Sequence, residues 1–133
     1  MSSWKDIRSK SLGLEEKKFI TTDDMSIEDM AKEITRLMKL GIVHFVYKKK
    51  DKKTKTGTVI KGEEREAWGT KFMEIVDHVP HGGDCPPKAV GYTTYFDCEK
   101  AGWRVYWDGR LIGYYDEVYT YSEFERLSKS TDV

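Results

Sequence analysis

Cysteine is scarce in this chain, and a long apolar run is missing altogether. Cys85 and Cys98 are the two cysteines among 133 residues. One pair cannot build the multi-bridge framework of small secreted domains, so both are expected as free thiols. No stretch is long and apolar enough to span a bilayer as a helix, and Met1 to Lys10 is mixed in charge, without the apolar centre of a secretory signal. Cytoplasmic residence, with no membrane partner, is the expectation. Net charge is absent too, because 23 Lys and Arg balance 23 Asp and Glu. No global field therefore draws the molecule onto nucleic acid or membrane, and any such contact must come from a local patch. Glycine-rich phosphate loops, Gly-x-Ser-x-Gly, His-Glu-x-x-His and internal repeats do not occur. These absences turn the reading away from catalysis and toward binding.

What is present suits one folded domain. The chain is 38% hydrophobic and 35% charged, too apolar and too balanced for a disordered one. Residues 1–22 read as an arm, partly ordered, in which Trp4, Ile7, Leu12 and Leu14 form a short helix or fold back on the body. Residues 23–133 read as the domain. Ile27, Met30, Ala31, Ile34, Leu37 and Met38 recur at helical spacing, predicting an amphipathic helix over 26–40. Ser26 with Asp29 resembles a capping box, and Gly41 stands at the stop.

From Ile42 the period becomes alternating, and Ile42 to Tyr47 predicts a strand. A lysine-rich hairpin tip follows, then returning strand at Thr56 to Ile60 and Arg65 to Thr70, and a further short strand within Lys71 to Val79. His81 to Pro87 reads as a loop, Val90 to Phe96 as a strand, and Asp97 to Gly102 as a turn. Asp108-Gly109 between Trp103–Trp107 and Arg110–Tyr115 is a hairpin signal, since a type I′ turn needs positive φ at both centres. Ser122 with Glu125 predicts a short C-terminal helix. Short strands without strand–helix–strand alternation predict a mainly β, small antiparallel barrel with an N-terminal and a C-terminal helix. A two-layer α+β sheet is the alternative.

Leu37-Met38-Lys39 through Tyr47-Lys48-Lys49-Lys50-Asp51, then Ala67-Trp68-Gly69-Thr70, Thr94-Tyr95-Phe96-Asp97, Glu99-Lys100, Trp103-Arg104 and Leu111-Ile112 together resemble a family of SH3-like β-barrel proteins. That family is found in phages and gut bacteria and was first catalogued as a domain of unknown function. The resemblance implies the barrel fold and a phage-type protein, and says almost nothing about activity. Departures from the pattern are an inserted look to Thr56–Glu64, Cys98 in place of an aliphatic residue, and extensions at both ends.

Three constellations carry candidate chemistry. Lys48, Lys49, Lys50, Lys52, Lys53 and Lys55 form a positive tip, with Trp68 and Tyr95 foremost among aromatics (Tyr47, Tyr92, Trp103, Tyr106 and Trp107 are the others) that can stack bases. Lysines follow phosphate while rings stack bases, which suits single-stranded nucleic acid. The plainer reading is a solubilising edge hairpin with its aromatics in the core. His78, His81, Cys85 and Cys98 offer four ligands for a structural zinc, against a plain buried cysteine at Cys98; no other cofactor is implied. Tyr114, Tyr115, Tyr119 and Tyr121, with Asp116, Glu117, Glu123 and Glu125, make a tyrosine-rich acidic end that suits a protein interface, either with a host protein or between copies of this chain. Asp77-His78 near Cys85, and Asp97 with Glu99, are weak enzymatic candidates; Asp97 reads better as a turn cap. The functional expectation is a small non-enzymatic accessory protein that contacts nucleic acid through its lysine hairpin. The alternative is an interaction or inhibitor module that binds a host protein.

Overall fold

The apolar stripe from Ile27 to Met38 is the buried face of helix α1, Ile27–Met38. Met30, Ala31, Ile34, Leu37 and Met38 point into the core, and Ser26 accepts the Asp29 N–H at its N-terminus. The computed structural model describes residues 19–87 and 89–129. The expected helix or arm around Trp4, Ile7, Leu12 and Leu14 lies outside the described residues. The last residues of the expected arm, Phe19–Thr21, form strand β1.

A six-stranded antiparallel sheet follows the order β1-β8-β2-β5-β6-β7. Here β2 is Ile42–Lys48, β5 Glu64–Thr70, β6 Tyr92–Asp97, β7 Gly102–Trp107 and β8 Leu111–Tyr115. Strands β2 and β5 pair along their full length, from Ile42↔Thr70 to Lys48↔Glu64. By contrast β5 meets β6 only at Gly69↔Asp97 and Thr70↔Phe96. The sheet bends at this corner, where a Cβ on Gly69 would stand 2.7 Å from the Tyr95 ring and 2.8 Å from the Phe45 ring. Among the described residues the sheet curls without closing, and β1 and β7 are its two edges.

Strand β2 is buried on both faces, so the alternation of its residues sorts them between two cores. Val43, Phe45 and Tyr47 pack with α1, Tyr95, Tyr106 and Tyr114. Ile42 packs on the other side with Trp68, Val76, Phe96, Cys98, Tyr119, Phe124 and Leu127. His44 is buried there as well, stacked on Trp68 at 3.9 Å, with its Nε2 2.6 Å from Glu66 Oε1.

Four local expectations are corrected. Within the expected strand at 71–79 the chain instead forms helix α2, Met73–His78, because Thr70 ends β5 by bonding the Gly41 and Met38 carbonyls and accepting the Phe72 N–H. A short apolar run has no period that separates strand from helix. Asp108-Gly109 makes no hairpin either. Asp108–Arg110 is a 3-10 turn that carries the chain from edge strand β7 to β8, which pairs with β2 and β1. Asp108 instead ties back to β6, its N–H donating to Gly91 and its carboxylate accepting the Thr93 hydroxyl. The C-terminal helix α3, Tyr121–Lys129, is capped two residues earlier than expected, by Thr120 and Glu123, each of whose side chains accepts the other's N–H. Gly41 lies beyond the Lys39 C-cap of α1 and has no left-handed φ; a Cβ there would crowd Val118 Cγ1 and the Tyr119 carbonyl. No helix among the described residues is long and apolar enough to cross a membrane.

Candidate nucleic-acid interface

The lysine-rich segment is a two-stranded ribbon standing off the main sheet. Strands β3, Lys52–Lys53, and β4, Val59–Ile60, pair in the register Lys52↔Ile60 and Lys53↔Val59. The tip closes through the Thr54 N–H to Thr58 and a left-handed Gly57. Lys48, Lys49, Lys50, Lys52, Lys53 and Lys55 are all exposed, six positive charges against the single carboxylate of Asp51 in that segment.

That carboxylate anchors the ribbon's base. Asp51 Oδ1 accepts the Gly62 N–H at 2.7 Å, and Lys61 Nζ stands 3.6 Å from Oδ2. The Gly62 N–H, then Lys61 and Arg110, hold its carboxyl below the usual carboxylate range. A side chain at Gly62 is impossible in this geometry, since its Cβ would lie 1.7 Å from the Lys49 carbonyl oxygen. Arg110 completes the base, with Nη1 donating to the Lys49 carbonyl at 3.0 Å.

The aromatic partners differ from those expected. Trp68 and Tyr95 are fully buried, so neither offers a face to a base. Trp68 is wedged among His44, Tyr119 and Phe124, and Tyr95 bonds Tyr47. The rings that do reach the surface are Tyr92 and Trp107, 39% and 42% exposed. They form a cross-strand pair of β6 and β7 with centroids 5.5 Å apart. Their face of the hairpin continues through Thr94 and Val105 to Phe96 and Trp103. At that end it is closed: Phe96 is buried and Trp103, half-buried, meets it edge-on at 5.7 Å. Arg110 lies over the Trp107 ring, 5.1 Å from its centroid. One arginine therefore touches both the aromatic platform and the ribbon base. Arg110 and Asp51 were missed in the sequence because nothing local to either predicts the other.

The other constellations do not assemble. Cys98 is buried beside Trp68 and Phe96, and that burial pushes its thiol well up. Cys85 is exposed, His78 Nδ1 faces the Glu74 carbonyl, and His81 Nδ1 lies 2.7 Å from the Val79 carbonyl. Among the described residues no group of three or more His, Cys, Asp or Glu side chains stands where it could hold one metal ion. The expected zinc ligands His78, His81, Cys85 and Cys98 therefore form no such cluster, with Cys98 in the core and Cys85 at the surface. Tyr114, Tyr115 and Tyr119 are core residues and Tyr121 is half-buried, so the tyrosine surface is also absent. Asp97 is a buried turn cap that accepts the Glu99 and Lys100 N–H groups at 2.9 and 3.1 Å and pairs with Arg65.

No curated protein and no solved structure compared with this chain matches it. A family model, WYL_2, described as having an Sm-like SH3 beta-barrel fold, matches residues 31–112. The matched stretch begins within α1 and ends at the start of β8, taking in β2, β5, β6 and β7 of the sheet, the ribbon and the platform. Since it covers more than half of the sequence, the chain belongs to the WYL_2 family of Sm-like SH3 beta-barrel fold.

Proposed function

We propose that this protein is a non-enzymatic nucleic-acid-binding module. The lysine ribbon holds phosphates, and the Tyr92–Trp107 platform stacks bases. The observation that carries the reading is Arg110, which lies over the Trp107 ring while bonding the Lys49 carbonyl. Arg110 thus joins an exposed aromatic face to a dense run of positive charge, the combination that suits single strands. Fluorescence anisotropy with labelled single-stranded DNA, duplex DNA and RNA at two salt concentrations tests it. Binding should weaken steeply with salt. Changing Lys49, Lys50, Lys52 and Lys53 to Ala should lower the log–log salt slope for single strands by about three. Affinity that ignores both salt and these lysines would refute the reading.

A second reading, a protein-interaction or inhibitor module, draws on β7, which among the described residues is an edge of the sheet and leaves Val105 and Trp107 exposed. Such an edge accepts a strand from a partner. That association would depend far less on salt.

A further inference from the structure

Tyr92 belongs to two surfaces. It is half of the platform, and it also lines a cleft of about 920 Å³ whose walls include α1 and residues 89–94. Helix α1 contributes the exposed Lys32 to this cleft, its C-cap the exposed Lys39, and Lys71, just after β5, a third lysine. Arg36 also lines it, already bonded to Glu33. Two carboxylates are present, Glu28 and Asp108; Asp108 is occupied by the Thr93 hydroxyl. The cleft is thus net positive, and through Tyr92 it adjoins the platform.

We infer that the cleft is a second phosphate-binding subsite, occupied by the continuation of the same single strand. This rests on the nucleic-acid reading above and extends it. The strand runs from the ribbon base at Lys49 and Arg110, over Trp107 and Tyr92, into the cleft at Lys32, Lys39 and Lys71. The occupant is a single-stranded polynucleotide for two reasons. Bases must be unstacked from one another to lie on the two rings. The path also turns over the hairpin within one small domain, which a duplex, stiff over about 150 base pairs, does not follow at low cost. Lysine recognises phosphate as a point charge without regard to base, so the subsite adds affinity with length and not with sequence.

Oligothymidylates of about 6 and about 20 nucleotides, lengths on the scale of small-barrel site sizes, separate the two claims. They are titrated by anisotropy against the parent, the ribbon variant and a Lys32→Gln, Lys39→Gln, Lys71→Gln variant. Thermal melting by circular dichroism verifies each fold, and Lys32→Gln with Lys39→Gln alone serves if Lys71 proves structural. The cleft variant should bind the short oligomer like the parent. It should bind the long one about tenfold or more weakly, with a salt slope lower by about two. Parent-like affinity and slope of the cleft variant for the long oligomer would overturn the subsite while leaving the ribbon's role intact. If the ribbon variant binds both lengths like the parent, the nucleic-acid reading itself falls, and the subsite with it.

Discussion

The hydroxyls of Tyr47 on β2 and Tyr95 on β6 lie 2.9 Å apart in the core, linking two strands that are separated in the sheet by β5. Arg65, the cross-strand partner of Tyr47, pairs with Asp97 beside them. This polar knot sits at the corner where β5 and β6 share only two residue pairs, and it ties the bent sheet where the backbone ladder is thinnest. Removing one hydroxyl leaves the other buried without that bond. Tyr95→Phe should therefore cost about 1–3 kcal/mol of stability, read by urea denaturation, with nucleic-acid affinity unchanged.

Trp107→Ala should behave in the opposite way. The ring is nearly half exposed and lies at the end of an edge strand, so stability should fall by about 1 kcal/mol or less. Loss of a stacking face should weaken single-strand binding by about 1–3 kcal/mol, fivefold or more. A Trp107→Ala variant that binds normally in anisotropy titrations would remove the platform from the site.

Gly62→Ala tests whether the ribbon's pose matters. The new methyl would collide with the Lys49 carbonyl, a backbone group that cannot rotate away. The bonds of Gly62 to Asp51 and of Lys49 to Glu63 should open. Amide hydrogen exchange should quicken at Lys49, Gly62 and Thr54 while the β2–β5 amides stay protected, because the ribbon adds little to either core. Single-strand affinity should fall with the loss of a fixed ribbon.

Stability should decline in alkali. Burial, followed by the charges of Asp116 and Glu33, pushes the Tyr114 phenol from 10 up to about 12, and burial pushes Tyr95, Tyr106 and Tyr119 up further. The folded state thus holds protons that the unfolded chain releases near pH 10. Stability is unaffected by these groups below about pH 10 and is lost as pH rises toward 12. The tyrosinate absorbance of these four buried phenols should appear together with unfolding, not before it.

The two thiols should differ. Cys85 is exposed and Cys98 buried with a raised pKa, so a thiol reagent should modify one group in native protein and two in denaturant. Cys85→Ser should leave the melting temperature unchanged, which a zinc-holding Cys85 would not.

Features whose cause lies within a few residues could be read from the sequence. The Ser26 cap, the apolar stripe of α1, the alternation through β2 and the lysine hairpin all follow from short-range hydrogen bonds or from a period of 3.6 or 2. The lysine half of the candidate site was legible on the same grounds, since a run of six lysines leaves few places but the surface. Tertiary structure decided the rest. Trp68 and Trp107 are alike in composition and both lie in strands, yet one is fully buried and the other open. The difference comes from α3, which reaches Trp68 from more than fifty residues away, and from the edge position of β7. Arg110 and Lys49 meet across 61 positions only because the turn at Asp108–Arg110 crosses from β7 to β8 instead of closing a hairpin. A hydrophobic pattern records which side chains leave water, but which surface covers them depends on strand order and the bend of the sheet, which no local pattern carries.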